Sequence, residues 1–395
     1  MMMAKKLLLT RLAQLKLGRL RVHEGTQQMD FGATQEMSAD VEIHHPDFYR
    51  AMVWGGSLGA AESYVLGHWD TPDLTELLRL MLRNERQNIK LDNFFSHATK
   101  WVHWLQHQLK KNNLQGSRRN IAKHYDLSND FFKLFLDDAM MYSSAVFPND
   151  ASTLKEASQY KLDMICQKLR LSAGDKILEI GTGWGGFAMH AATHYGCHVV
   201  TTTISKQQHQ WAQSRIEALG LSDKITLLQQ DYRHLTGIYD KIVSIEMIEA
   251  VGHQYYRQFF SKCASLLTPE GSLFLQAITL QDQMYERAKH DVDFIKKYIF
   301  PGSCIPSVTA LQQAMTKSSD LRLYQAEDIG LHYVRTLACW RENFVAQKQA
   351  ILKLGFDEAF IRMWLFYFSY CEAGFAEGYL GNMHLHYVKP LAIRC

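Results

Sequence analysis

KILEIGTGWGGFA, residues 176–188, decides the fold. Ile177, Leu178 and Ile180 make an apolar run suited to a buried strand, and Gly181, Gly183 and Gly186 follow it at GxGxxG spacing. Glycine permits a tight turn there and lets a ligand approach the backbone. Reading outward, further β-type runs stand at 198–203 (HVVTTT), 224–228 (KITLL), 241–245 (KIVSI) and 272–277 (SLFLQA), with helical stretches between them. Strand–helix alternation of this kind predicts a parallel, doubly wound α/β sheet, with ligands bound beyond the carboxyl ends of its strands. A late run at 383–388 (MHLHYV) is expected to close the sheet.

The glycine pattern alone suits a nicotinamide dinucleotide and a methyltransferase cofactor alike. A dinucleotide fold places an acid about 20 residues further on to bind ribose. No Asp or Glu occurs here between 187 and 216, where the second strand ends in Thr203, Ile204 and Ser205. Glu179, inside the first strand, and Asp231, after the third, favour the methyltransferase reading. Asp231 serves equally well as a helix N-cap. The expected fold is therefore a class I methyltransferase (Rossmann-like) sheet with helical insertions, plus a smaller N-terminal α+β domain. S-adenosylmethionine is the expected cofactor. Thr203, Ser205 and Gln208 fall on its ribose side, and Asp231 and Tyr232 on its adenine side.

The whole chain sets bounds. Its 395 residues favour two domains, and Lys plus Arg exceed Asp plus Glu by only 43 to 40. So balanced a charge argues against a nucleic-acid partner. Seven cysteines without a CxxC pair predict neither a metal site nor a disulfide framework, and point to a reducing cytoplasm. No apolar run reaches the roughly 20 residues of a spanning helix. Residues 1–25 interleave Lys5, Lys6, Arg11, Lys16, Arg19 and Arg21 with leucines. They form either a helix docked on its own domain or a basic amphipathic segment on anionic lipid. The expected boundaries are 1–95 for a lipid-associating domain, with a helix at 73–84, then 96–119 for a linker and 120–395 for the catalytic domain.

Several longer segments then carry a resemblance. HYDLSNDFFKLFLDDAMMYSSAVF (124–147), EIGTGWGGFA (179–188), TTISKQQ (202–208), QDYRHL (230–235), IVSIEMIEAVG (242–252), KYIFPGSCIPSV (297–308), HYVRTLACW (332–340) and FIRMWLFYFSYCEAGF (360–375) stand in order. Together they resemble the cyclopropane fatty acyl phospholipid synthases and the related mycolic acid methyltransferases. The stretch 44–70 also resembles the extra N-terminal domain of the phospholipid-acting members.

The resemblance implies transfer of a one-carbon unit from S-adenosylmethionine to a cis-unsaturated acyl chain of membrane phospholipid. The cation left on the chain then loses a proton to a base, in the family a bound bicarbonate. Glu249 matches the acid that holds this anion, Tyr333 a tyrosine beside it, and Ile278 a backbone contact. Tyr142 and Ser143 match a segment folding over the methionine portion of the cofactor, which Gly181, Gly183 and Gly186 line. His124 and Tyr125 begin the first motif with no role assigned. Two positions depart from the pattern, Ser144 standing for a usual Cys and Gln276 for a usual His, both of them contacts of that anion in the family. The base is then either a retained anion or another group, Glu249 among them. Phe300, Pro301 and Gly302 fall near the family's acyl channel. The aromatic stripe Trp364, Phe366, Tyr367, Phe368, Tyr370 and Phe375 reads as core or as channel wall.

A homodimer associated peripherally with the inner face of the cytoplasmic membrane is also expected. Three competing readings are a methyltransferase of small metabolites, a non-catalytic lipid or cofactor sensor, and a nicotinamide oxidoreductase.

Overall fold

The computed structural model describes residues 2–32, 36–86 and 127–392. The expected linker at 96–119, together with His124 and Tyr125, lies outside the described residues. The rest forms two compact units. One contains the N-terminal residues with His290–Ile299 and Trp340–Tyr379. The other contains the described chain from 127 to 289, Phe300–Cys339 and the C-terminal strand region from Leu380. The sequence reading counted the two later segments with the catalytic domain. Their side chains explain the difference: Phe366 packs on Tyr64 and Phe294, and Arg362 reaches Asp70 Oδ1 at 2.8 Å and the Trp69 carbonyl at 2.9 Å.

The first unit is built on a four-stranded sheet of order β2-β1-β3-β4, from β1 (Arg19–Glu24), β2 (Gln27–Gly32), β3 (Ser38–Ile43) and β4 (Trp69–Asp70). Helix Leu74–Arg86 follows, close to the expected 73–84. Helix Met2–Leu12 buries Ala4, Leu8 and Leu12, one side of a helix at four-residue spacing. Burying each leucine stabilises by roughly 1.5–3 kcal/mol before entropy is counted. These leucines are thus spent in the unit's own core. Trp364, Phe366, Tyr367, Phe368 and Phe375 are buried as well, with Trp364 and Phe368 against Phe344. Tyr370 stacks on Phe366. The aromatic stripe therefore belongs to the core of this unit. Among the described residues, no helix is long and apolar enough to cross a membrane.

The second unit is a seven-stranded sheet of order β10-β11-β9-β8-β5-β6-β7. Its strands are β5 (Lys176–Ile180), β6 (His198–Thr202), β7 (Ile225–Leu228), β8 (Tyr239–Ile245), β9 (Leu267–Leu280), β10 (Arg322–Asp328) and β11 (Leu380–Val388). Neighbours from β7 through β9 run parallel, while β11 is antiparallel to β9 and to β10. Six of these strands coincide with the apolar runs read from the sequence. β10 has no such run, because it is an edge strand with every residue exposed and so no buried face to impose alternation. Helix Leu154–Lys168 starts at a capping box, Thr153 with Glu156. Such a cap contributes about 1 kcal/mol. This helix and Gly186–His194 supply the buried layer over Ile177, Val199 and Val243.

Candidate active site

The glycine turn grows directly from β5. Gly181 N and Thr182 N donate to the Thr202 carbonyl at 3.1 and 3.0 Å, so the chain folds across the end of β6. Gly181, Gly183 and Gly185 have φ of 105°, 53° and 88°, which L side chains resist. A Cβ on Gly186 would lie 2.3 Å from Met141 Sδ, so any side chain at this helix start would have to displace Met141. A Cβ on Gly183 would meet nothing within 4 Å, so open space lies on its side of the turn. A Cβ on Gly181 would touch Met247 at 3.3 Å. The turn thus abuts the segment after β8 that carries two carboxylates, Glu246 and Glu249.

Glu249 sits in the 3-10 turn Ile248–Ala250. Its Oε1 accepts from Ile278 N at 2.5 Å, and its buried Oε2 has no partner among the described residues. The turn is pinned because Cys304 N donates to the Glu249 carbonyl at 2.8 Å while Tyr256 Oη donates to the Cys304 carbonyl at 2.7 Å. Burial, reinforced by the charge of Glu246, pushes the Glu249 carboxyl up to about 8.

Glu246 was not singled out from the sequence, yet it organises the site. Its φ of 48° is left-handed, an uncommon conformation for a residue with this side chain. Its Oε1 accepts from Ser144 N at 3.0 Å, Gln276 Nε2 at 2.8 Å and Asn382 Nδ2 at 2.6 Å, and its Oε2 accepts from Tyr333 Oη at 2.8 Å. Ser144, Gln276 and Tyr333 are thus brought together, around a carboxylate of the chain itself. Ser144 contributes its backbone N–H, since its hydroxyl donates to the Ala145 carbonyl.

The orientation of Gln276 is fixed from behind. Lys168 Nζ, which can only donate, lies 3.1 Å from His384 Nδ1. Nδ1 therefore accepts, and the proton sits on Nε2, 3.2 Å from Gln276 Oε1. That contact leaves the Gln276 amide nitrogen to donate to Glu246. Burial and the nearby lysines hold His384 well below its ordinary range, so it stays neutral. Lys168 is in turn paired with Glu327. A histidine is thus present here after all, but supplied by β11.

A second missed residue is Lys161, wholly buried on helix Leu154–Lys168. Its ammonium donates to Ser143 Oγ at 2.7 Å. Burial pulls its pKa down to about 8 against the opposing charges of Glu246, Asp137 and Glu179. Glu179 is itself buried, pushed up to about 8 by desolvation, and accepts from Thr201 Oγ1 at 2.5 Å.

The remaining predicted cofactor residues lie before β5 and just after β6 and β7. Tyr142 packs edge-on against Phe132 and lies near Phe300. Pro301 and Gly302 follow Phe300 in a half-buried loop, and Gly302 has φ 85°. Thr203 Oγ1 donates to Gln208 Oε1 at 2.9 Å, and Ser205 caps helix Lys206–Ala218 through Gln208 N. Asp231 caps the turn Tyr232–His234 and is held by Arg233 at 2.8 and 2.7 Å, which keeps its carboxyl below the usual range despite burial. The Tyr232 hydroxyl is buried without a partner among the described residues. Open space over Gly183, a row of hydroxyl and amide groups after β6 and an unsatisfied phenol after β7 suit a nucleoside-bearing sulfonium cofactor.

The profile of the mycolic acid cyclopropane synthetase family matches residues 112–385. The chain is 36% identical over 366 residues to tuberculostearic acid methyltransferase UfaA1 of Mycobacterium tuberculosis, covering 88% of this chain and 83% of that protein. It is 37% identical over 341 residues to the cyclopropane-fatty-acyl-phospholipid synthase of Escherichia coli, covering 85% and 84%. Among solved structures, mycolic acid cyclopropane synthase CmaA1 complexed with SAH and CTAB superposes with a TM-score of 0.65 at 31% identity, over 69% of this chain and 98% of that one. The chain belongs to the mycolic acid cyclopropane synthetase family and is an S-adenosylmethionine-dependent enzyme on the class I methyltransferase fold.

Proposed function

We propose that this enzyme adds a one-carbon unit to the cis double bond of an unsaturated acyl chain of membrane phospholipid and closes a cyclopropane ring, with Glu249 as the base. When bound, S-adenosylmethionine supplies an electrophilic methyl carbon. Gly181, Gly183 and Gly186 would line its methionine portion beside Tyr142 and Ser143, with the buried Glu179 on the strand that leads into the turn. Thr203, Ser205 and Gln208 would stand toward the ribose, and Asp231 and Tyr232 toward adenine.

One observation carries the reading. A buried carboxyl with a free oxygen, Glu249, stands beside the glycine turn where a proton must be taken in a water-poor site. A carbon cation formed on the acyl chain loses a proton from its added methyl. The released C–H electron pair closes the ring, and the proton passes to Glu249. Incubation with unsaturated phospholipid vesicles and cofactor tests this. Mass spectrometry should show acyl chains heavier by one CH2 unit, and NMR should show ring protons. Acyl chains of unchanged mass would refute the transfer. The likeness to UfaA1, named a methyltransferase, supports a second reading in which the product is methylene- or methyl-branched. NMR separates the two.

Cofactor binding at the turn gives a further expected result. Gly183→Val forces a β-branched residue to φ 53° and fills the open space. S-adenosylhomocysteine affinity is expected to fall at least about tenfold, or some 1.4 kcal/mol, by calorimetry.

Peripheral association with the inner face of an anionic cytoplasmic membrane, as a homodimer, completes the proposal. Deleting residues 1–25 is a poor test, since it removes β1, which pairs with both β2 and β3. Reversing the exposed Lys6 and Lys16 to Glu spares the core. Sedimentation with anionic vesicles is expected to drop several-fold, and unchanged sedimentation would reject the contact. Analytical ultracentrifugation reports the oligomeric state.

A further inference from the structure

We propose that the Glu246 carboxylate occupies the place of an exogenous bicarbonate, so that this enzyme carries its active-site anion covalently. The inference rests on the proposed one-carbon transfer and deepens it. Four donors converge on Glu246: Ser144 N, Gln276 Nε2, Asn382 Nδ2 and Tyr333 Oη, at 2.6–3.0 Å. Three of them belong to residues that the family resemblance assigns to a bound anion. A carboxylate and a bicarbonate present the same planar pair of oxygens, so one cage serves either but not both. The chain accepts a left-handed backbone at Glu246 to put the carboxylate there. His384 and Lys168 then set the amide of Gln276 to donate into the cage rather than to accept.

Glu246 acts on the reaction through its neighbours. It holds the Tyr333 hydroxyl and places a negative charge beside Glu249, which makes Glu249 a stronger base. The proton still passes from the added methyl to Glu249, and nothing is consumed besides the olefin and the methyl donor.

Glu246→Gly provides the test, because glycine adopts φ 48° without strain and the change vacates the cage. Native enzyme in bicarbonate-free buffer under argon is expected to work at its full rate, and calorimetry with bicarbonate should show no binding. Glu246→Gly is expected to lose at least about tenfold in kcat, with its pH–rate profile displaced to lower pH as Glu249 loses its charged neighbour. Added bicarbonate or formate should bind this variant and restore much of the rate. Glu246→Gln, which leaves the cage filled, should be slow and refractory to both anions. A native rate that collapses without bicarbonate, bicarbonate binding to the native protein, or a Glu246→Gly variant with native rate and pH profile would each overturn the inference. Absence of any transfer by the native enzyme would instead refute the proposed function and this inference with it. Transfer that requires bicarbonate would refute this inference alone.

Discussion

Glu249→Gln is expected to reduce kcat by about two to four orders of magnitude, the usual scale for losing a positioned base, while S-adenosylhomocysteine affinity changes less than about twofold. Glutamine can still accept from Ile278 N, so the end of β9 stays in place, but it cannot take up a proton. Turnover retained within a few-fold would show that another group removes the proton. Native kcat should rise with pH through about 8, where burial and Glu246 place the Glu249 carboxyl.

The same substitution has a stability signature. The folded-state pKa of Glu249 is raised from 4.5 to about 8. Between these values the folded protein binds more protons than the unfolded chain, so the native protein loses stability as pH rises through that window. Glu249→Gln removes this loss. Its melting temperature relative to native should therefore improve from pH 5 to pH 9, and a difference independent of pH would contradict the assignment.

Lys161→Met is the second large effect. Both side chains are unbranched, Met being one atom shorter, but the substitution removes a fully buried positive charge held among Glu246, Asp137 and Glu179. It also leaves Ser143 Oγ without its donor. Breaking a buried ion cluster by removing one partner costs about 3–5 kcal/mol. Thermal unfolding should reveal a loss of that order, and an unchanged melting temperature would show that the carboxyls shed their charge without Lys161.

Not every residue of the site could be found by reading the chain. Glu249 was legible because a long motif, IEAVG, surrounds it. Glu246 stands three residues earlier in the same segment and offers no periodic or compositional signal. Its importance comes from a backbone rotation and from donors as distant as Ser144 and Asn382. Lys161, in LKEASQYKLDM, reads as an ordinary solvated helix residue, and only the packing of its helix encloses it. Asn382 and His384 lie in β11, whose run 383–388 suggests only a strand that closes the sheet, whereas it sits inside the sheet between β10 and β9 and its side chains meet Gln276 and Glu246.

The sequence by itself determined the sheet, the glycine turn and the cofactor class. These follow from local chemistry, namely apolar runs of strand length and glycines where the backbone needs positive φ. It also held the family motifs that name the reaction. The tertiary structure alone decided which carboxylate sits in the donor cage, which histidine orients the amide there and where the aromatic stripe is buried. Hydrogen-bond partners and burial depend on residues far apart in the chain meeting in space, and neither periodicity nor composition encodes those meetings.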